Sequence, residues 1–259
     1  MRLRIKLTGD TESITLPFHH NEILHGIVYH YLNTPFAVRM HSKGIIDPES
    51  NRGLKLFTFS RLISGRKPEI DKEKNTIKFY FPITWVIASP IHEFIVSLYN
   101  TLNRKRSINL HASSLPEKQN LHLLNLWLEE PPPYNQRVLI ETLSPITVYR
   151  TSEKEGKMFT HYFNPSDSEF NELILLNLSR KYRALTGNKL TLDQEAFIKP
   201  VRISNHENIV YFKDTVIKGW SGIFKLSLPE EIFPLAFSCG LGAKNSLGFG
   251  CIGIWRGNQ

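Results

Sequence analysis

The amino-acid sequence predicts an α+β protein made of two tandem ferredoxin-like (RRM-like) βαββαβ domains, with a glycine-rich loop near the C-terminus. Three observations support this prediction. Each half of the chain orders its strand-like and helix-like segments as β-α-β-β-α-β, a proline run separates the halves, and two Gly-x-Gly pairs lie close to the end. We expect a first domain over residues 1–130 and a second over residues 135–259.

The first half of the sequence contains one complete set of these elements. Strict alternation of polar and apolar residues over residues 2–7 predicts a half-buried strand, and apolar residues at helical spacing predict a helix over residues 21–32. Two strands, an amphipathic helix and a last strand are expected next, at residues 55–62, 76–83, 90–102 and 121–128. The leucine-rich composition of the last segment leaves a helix as the rival interpretation.

The second half approximates the same order with one extra hairpin. Residues 131–133 are prolines, which continue neither a helix nor a strand and therefore predict a linker. A long strand interrupted by Ser144-Pro145 is expected at residues 138–149. A capping box at residues 166–169 precedes an apolar-periodic helix that Gly187 ends. Three strands, a short helix and a final strand complete the set, at residues 201–203, 209–212, 223–228, 229–239 and 249–255.

Composition indicates a basic protein with a polyanionic partner. The 259-residue chain is 41% hydrophobic and has a formal net charge of +8. Such a charge favours phosphate-rich partners, although it does not choose between RNA, DNA and an anionic membrane. The two cysteines, Cys239 and Cys251, have no metal-ligand spacing and are expected to be core residues in a reducing compartment. No apolar run approaches a membrane span and no signal peptide is evident, so we expect a cytoplasmic protein without a membrane partner.

The glycine-rich loop is the most specific feature of the sequence. Glycine has no Cβ, so it adopts positive φ and lets a backbone or a phosphate approach closely. Dinucleotide-binding and Walker loops are excluded by spacing and position, whereas a helix-to-strand turn that serves packing alone remains the alternative. The loop places a basic, amide-rich centre between its two pairs, and its candidate binding residues are Gly240, Gly242, Lys244, Asn245, Ser246, Gly248 and Gly250.

Together with several N-terminal segments, this loop resembles the CRISPR-associated endoribonuclease family (Cas six) of the RAMP superfamily. The resemblance extends from the first strand to the last and is carried by residues 2–7, 24–29, 55–60, 143–146 and 240–250. It implies two facing ferredoxin-like domains that bind CRISPR repeat RNA (pre-crRNA) and cut it without a metal ion to make guide RNAs. It also implies a 2′,3′-cyclic phosphate on one product and a 5′-hydroxyl on the other.

That reaction sets chemical requirements that the residues can meet. The 2′-oxygen must lose a proton, the charge on the phosphorane must be stabilised, and the 5′-oxygen must gain a proton. Histidine and tyrosine suit the proton transfers, lysine suits the charge, and no metal or other cofactor is needed.

Motif positions carried over from the resemblance assign these roles to His41, Tyr29 and Lys55. Lys43 is an alternative lysine, because the segment over residues 45–54 is long, and His25 and His30 are substitutes on the helix. A solvated His41, a core Tyr29 and a Lys55 that protects a sheet edge are the structural alternatives. His19-His20 is not expected to bind a metal ion, because adjacent side chains point in different directions.

The implied partner is CRISPR repeat RNA, both pre-crRNA and crRNA, and we expect charge and backbone amides to hold it more than base stacking. Arg180, Lys181 and Arg183 are the strongest candidates, although cations also suit a helix C-terminus. Further phosphate candidates are Arg61, Arg66, Lys67, Arg104, Lys105 and Arg106. A multi-subunit CRISPR effector complex and a second copy of the chain are further candidate partners. Two alternatives stay open: a non-catalytic RAMP subunit that binds crRNA in an effector complex, and an unrelated tandem RRM.

Overall fold

The computed structural model describes residues 1–110, 119–192 and 195–257. The helices within these residues are α1 (Asn21–Tyr31), α2 (Thr34–Ser42), α3 (His92–Lys105), α4 (Ser168–Thr186) and α5 (Phe233–Cys239), with one 3₁₀ turn at Asn245–Leu247. The strands are β1 (Arg2–Thr8), β2 (Ser13–Pro17), β3 (Ile45–Ile46), β4 (Gly53–Leu54), β5 (Thr58–Phe59), β6 (Glu69–Asp71), β7 (Thr76–Tyr80), β8 (Ile83–Ala88), β9 (Ser107–Leu110), β10 (Gln119–Glu129), β11 (Arg137–Thr142), β12 (Tyr149–Lys154), β13 (Lys157–Tyr162), β14 (Phe197–Ile203), β15 (Asn208–Phe212), β16 (Thr215–Gly219), β17 (Gly222–Ser227) and β18 (Ile252–Ile254).

The first sheet has the strand order β5-β8-β1-β10-β9, and its neighbours pair antiparallel. Without the added edge strand β9, this is the second-third-first-fourth order of a βαββαβ unit. The alternation in β1 buries Leu3, Ile5 and Leu7, and these side chains share one core with Leu24 of α1 and Phe94 of α3. One face of the sheet is therefore covered by helices.

The second sheet repeats this arrangement with the order β14-β17-β11-β18. Its core joins Ile140 of β11, Ile174 of α4, Phe224 of β17 and Phe233 of α5. Both halves therefore have the ferredoxin-like strand order, which confirms the fold class. Two additional hairpins, β12–β13 and β15–β16, extend the second half. Residues 130–136 carry no helix or strand, and the boundaries at 130 and 135 remain our prediction.

The first half differs from expectation at three places. The segment around His41, for which no element is predicted from the sequence, forms helix α2, which is anchored through buried Phe36 and Met40 at i, i+4 spacing. The strand expected at residues 55–62 is reduced to β5. The strand expected at residues 76–83 ends before Pro82, which has no N–H to continue the ladder, and β8 follows as a separate, largely buried strand.

The second half differs from expectation mainly at the ends of its elements. The strand expected at residues 138–149 ends at Thr142, the last helix begins at Phe233, and the final strand is confined to β18. The expected capping box does not form, because Asp167 is the N-cap residue and makes no side-chain bond to the helix. Gly187 ends α4 in the left-handed conformation at φ 78°, as predicted. The leucine-rich segment of the first half is strand β10.

Buried polar contacts join the two halves. The Arg2 guanidinium, 1% exposed, donates to the carbonyl oxygens of Phe237 and Ile252. The Thr58 hydroxyl donates to the carbonyl of Phe249 at 2.8 Å, and the Asn21 amide donates to the carbonyl of Leu247 at 2.8 Å. Because buried polar groups need partners, these bonds hold the glycine loop of the second half against β5 and α1 of the first.

Candidate active site

Three side chains from α1 and α2 form a row beside the glycine loop. The rings of Tyr29 and His41 lie 5.1 Å apart between centroids, and those of His25 and Tyr29 lie 4.9 Å apart. His25 and Tyr29 share one face of α1 through their i, i+4 spacing, and α2 presents His41 to the same face. The structure therefore brings together two of the residues predicted as catalytic and one of their substitutes.

The glycine loop fixes the protonation pattern of His25. Its Nδ1 atom lies 2.8 Å from the carbonyl oxygen of Ser246, which can only accept, so Nδ1 donates and Nε2 of the neutral ring carries the lone pair. Burial lowers the pKa of His25 and outweighs the opposing hydrogen bond to the Ser246 carbonyl, and the nearby positive charges of Lys55 and Lys213 lower this pKa further. A neutral His25 with an accepting Nε2 follows.

Tyr29 and His41 differ in environment. Burial raises the pKa of Tyr29 to about 12, so its hydroxyl keeps its proton at neutral pH and can donate it. His41 is exposed to solvent. Tyr29 is partly buried and packs on the ring of Phe57, with 5.7 Å between centroids. Tyr29 therefore packs against a core residue on one side, as its structural alternative predicted, while its ring also contacts His25 and His41.

Lys55 lies at the entrance to β5 and lines a cleft of about 1000 Å³ between the two halves. Burial lowers the pKa of this lysine. Lys43, the alternative, is exposed at the C-cap of α2, and His30 has its ring against Tyr31 instead of Tyr29. The geometry supports Lys55 as the lysine of the candidate site.

Cations from both halves line the same cleft. Lys244 extends over the Tyr149 ring, with Nζ 5.4 Å from the centroid, and Ser246 lies beside it. Apart from Lys181, whose ammonium is bonded to buried protein acceptors, the cations that line the cleft are Arg52, Lys55, Arg150, Arg180 and Lys244. None of these five forms an ion pair with a carboxylate in the described parts of the chain. A groove with such unneutralised charges attracts a phosphate backbone.

The four loop glycines are buried, which corrects the expectation that they contact RNA. Gly248 and Gly250 adopt φ values of 85° and 72°, and an added Cβ would lie 2.4 Å from the Phe59 ring and 2.0 Å from the Leu241 carbonyl oxygen, respectively. Gly240 and Gly242 also have positive φ, and an added Cβ would lie 2.8 Å from the Gly250 carbonyl oxygen and 2.4 Å from the Thr147 carbonyl oxygen, respectively. These glycines therefore shape the loop and let the two halves approach.

Lys181 and Asn245 also support the loop and are not free to bind RNA. Lys181 is 5% exposed, and its Nζ donates to the carbonyls of Gly240 and Gly242 and to Oδ1 of Asn245. The Asn245 amide donates to the carbonyls of Leu241 and Phe249. The sequence predicted that both residues contact RNA. This prediction is corrected, because the donor groups of both side chains already bond to protein acceptors.

Arg183 is engaged in ion pairs, so its expected contact with RNA is corrected as well. It donates to both carboxylate oxygens of Asp47, at 2.6 and 2.7 Å, and to Glu49. This pairing holds the pKa of Asp47 well below its usual range. Of the three basic residues predicted at the end of α4, Arg180 alone lies exposed on the cleft.

Three cations near the site were missed by sequence reasoning. Arg52 and Arg150 lie in segments without periodic signal, and only the folded chain brings them to the cleft. Lys213 occupies the β15–β16 turn at φ 51° and acts on His25 from the second half. The Lys213-Asp214 pair between two alternating segments predicts a turn, but it does not indicate where the hairpin docks.

The described residues contain no group of three or more His, Cys, Asp or Glu placed to hold a metal ion. His19 accepts a hydrogen bond from the Tyr211 backbone, and His20 is buried beside the Pro17 carbonyl. In the same parts of the chain, no helix is long and apolar enough to cross a membrane.

Comparison with known proteins shows which proteins this chain resembles. The model of the family described as CRISPR associated protein Cas6, C-terminal, matches residues 128–254. A CRISPR-associated endoribonuclease Cas6 from Methanocaldococcus jannaschii is 28% identical, over 96% of this chain and 92% of its own. The second half therefore matches the C-terminal domain of Cas6, and the chain is similar to Cas6 proteins over nearly its whole length.

Solved structures similar to this chain share its fold. One, from a Cas6-related gene of Pyrococcus furiosus, has a TM-score of 0.82 at 22% identity and covers 100% of this chain and 99% of its own. Another, described as a RAMP protein binding different RNA substrates, has a TM-score of 0.79 at 20% identity and covers 99% of this chain and 100% of its own. This chain and these two solved structures therefore share the same overall fold.

Proposed function

We propose that this chain is a Cas6 endoribonuclease that binds CRISPR repeat RNA in the cleft and cuts it without a metal ion. The observation that carries the proposal is the row of His25, Tyr29 and His41 beside the glycine loop, whose Ser246 lines the same unneutralised basic cleft as Lys55. The names of the curated relatives support the substrate class. We expect the enzyme to be cytoplasmic, because its substrate is transcribed inside the cell. A multi-subunit effector complex and a second copy of the chain are candidate partners.

The proposed reaction is an attack of the ribose 2′-oxygen on the adjacent phosphorus. A histidine accepts the 2′-hydroxyl proton as the new oxygen–phosphorus bond forms, and the bond from phosphorus to the 5′-oxygen breaks. The leaving 5′-oxygen takes a proton, which gives a 2′,3′-cyclic phosphate and a 5′-hydroxyl. General acid–base transfer of this kind typically contributes about 10²- to 10⁴-fold to the rate.

The residues divide these tasks by their environments. His41 is exposed and can exchange protons with the solvent, so it serves as the base. Tyr29 keeps its proton at neutral pH and donates to the 5′-oxygen. Lys55 places positive charge where negative charge develops on the phosphoryl oxygens. His25 presents a fixed Nε2 acceptor beside Tyr29 and is the substitute base.

The test is cleavage of the cognate repeat RNA by the purified protein in EDTA. We expect a cyclic phosphate product from wild type and no cut in RNA with a 2′-deoxy sugar at the scissile nucleotide. His41→Ala should slow cleavage by about 10²-fold or more with RNA affinity retained. His92→Ala, at the exposed start of α3, is the matched control.

The outcomes separate the alternatives. Cleavage at the wild-type rate by His41→Ala removes His41 from the mechanism. A wild-type protein that binds the repeat RNA and never cuts it contradicts the nuclease and supports a non-catalytic RAMP subunit.

A further inference from the structure

The β15–β16 hairpin has one face in the core and one face in solvent. Strand alternation turns Phe212 and Ile217 inward, where they pack with Phe249 of the glycine loop. Tyr211 and Val216 are directly paired across the hairpin and face outward, 51% and 40% exposed. An exposed apolar surface on a hairpin so firmly docked is a candidate binding surface.

Two aromatic residues of the first half hold the exposed ring of Tyr211 in place. The His19 ring lies 4.7 Å from the Tyr211 ring at an interplanar angle of 66°, and the Phe18 ring lies 5.1 Å from His19 at 84°. The backbone N–H of Tyr211 donates to Nδ1 of His19 at 3.3 Å. Burial lowers the pKa of His19, which matches its role as acceptor. The platform, defined as Phe18, His19 and Tyr211, is thus ordered before any ligand arrives.

The hairpin also continues the candidate active site. The inward ring of Phe212 lies 5.5 Å from the ring of His25, and the charge of Lys213 acts on that histidine. Strand residues next to each other in sequence are separated by about 3.3 Å of strand length. Tyr211 precedes Phe212 by one residue, so its ring lies on the outer face of the same hairpin whose inner face contacts His25.

Charge around the platform favours a nucleic acid over an apolar protein surface. Lys213 forms no ion pair with the described residues, and the Arg61 guanidinium donates to the neutral amide of Asn208 at the start of β15. Lys218 of β16 forms an ion pair with Glu207, so both of these charges are neutralised. Asp214 is the acidic residue at the turn. Among the described residues, Lys213, whose charge acts on His25, is therefore an unpaired cation at the turn of the hairpin.

We propose that Tyr211, supported by His19 and Phe18, stacks the base of an unpaired nucleotide next to the scissile phosphate, while Lys213 contacts its phosphate. The proposal takes its ligand from the proposed function, and it assigns a base-stacking site where the sequence predicts that charge and backbone amides contribute more than stacking. Stacking suits this position because every base has a π face, so the site tolerates different sequences. The ligand class is therefore single-stranded RNA flanking the cut.

The test is a scan of the repeat RNA of the source genome, with 2-aminopurine replacing one base at a time. At one position, we expect the fluorescence to be quenched on binding to wild type and to Tyr211→Phe. Tyr211→Leu should abolish this quenching and weaken binding about 5- to 150-fold, as loss of one stacked base does. Val201→Ala, which truncates a 58% exposed side chain on β14, is the matched control.

Each result decides the proposal. Unchanged affinity and quenching in Tyr211→Leu overturns it, and so does a changed oligomeric state with RNA binding intact, which would assign the platform to a second copy of the chain. The readout needs no cleavage. A wild type that binds and quenches without cutting contradicts only the nuclease, whereas a nuclease that cuts without quenching contradicts only the platform.

Discussion

Lys181→Met tests whether a buried lysine supports the glycine loop. Lys181 is 5% exposed, and its ammonium reaches three acceptors at 2.7 to 3.1 Å. Methionine matches the length of the side chain and provides no donor. The substitution therefore leaves the carbonyls of Gly240 and Gly242 and Oδ1 of Asn245 without this partner.

The magnitude follows from these three acceptors. Each buried acceptor left without its partner costs about 1–3 kcal/mol, and part of that loss is offset because the ammonium no longer has to be desolvated. Burial lowers the pKa of Lys181, which shows that this desolvation is appreciable. A net loss of about 3–5 kcal/mol follows, which lowers the melting temperature by about 6–20 °C in a chain of this size.

Arg180→Met provides a control one residue away. Arg180 is exposed on the cleft, so its substitution removes the same charge without opening buried bonds. We expect thermal unfolding like that of wild type, weaker RNA binding, and a salt dependence of affinity reduced by about one unit of slope. Differential scanning calorimetry and RNA titrations at several salt concentrations measure both effects.

One result would refute the reasoning. If Lys181→Met melts like wild type and loses RNA affinity, with its salt dependence reduced, Lys181 binds phosphate directly and is not a structural support.

Three further predictions concern pH, packing and ion pairing. Burial lowers the pKa of His20 from about 6.5 in the unfolded chain to about 4 in the folded protein. The folded protein therefore loses stability as the pH falls from 7 towards 4, and at pH 5 the loss is about 2 kcal/mol of unfolding free energy. His20→Gln should reduce this loss in urea denaturation at the two pH values, and an unchanged difference contradicts the assignment. Gly248→Ala should lower the melting temperature more than Gly187→Ala does, because both glycines have positive φ but only Gly248 is crowded; equal losses would rule out the clash. Arg183→Met should lower the melting temperature, because it leaves the Asp47 carboxylate buried without its ion-pair partner. Adding Asp47→Asn should restore part of the lost melting temperature, and strictly additive losses in the double variant would argue against the pair.

Periodicity predicted the long elements of the fold well. The alternation over residues 2–7 and the apolar spacing over residues 21–32 correspond to β1 and α1 almost to their ends. Shorter elements were missed where few side chains reach the core, as in α2, whose buried residues are Phe36 and Met40. Strand β8 is nearly continuous apolar sequence, which is typical of a strand at the centre of a sheet and could have been recognised as one.

The sequence was less informative about which polar residues face the cleft. Tyr29, His41 and Lys55 were proposed from the family resemblance, and their roles remain proposals. Charge alone did not distinguish Arg180 from Lys181, yet spacing does. Lys181 continues the buried stripe of Ile174 and Leu178 at i+7 and i+3, which indicates burial. The ion pair of Arg183 with the distant Asp47 has no local signal, because only the fold brings them together.

The glycine loop receives hydrogen bonds from both halves of the molecule. Asn21, His25 and Thr58 donate to its carbonyl oxygens from the first half, and Lys181 does so from the second. A harmful substitution at one of these donors can therefore be suppressed by a change in the other half. Exchange of whole domains between relatives should likewise yield working chimeras only when the loop is transferred with the donors that match it.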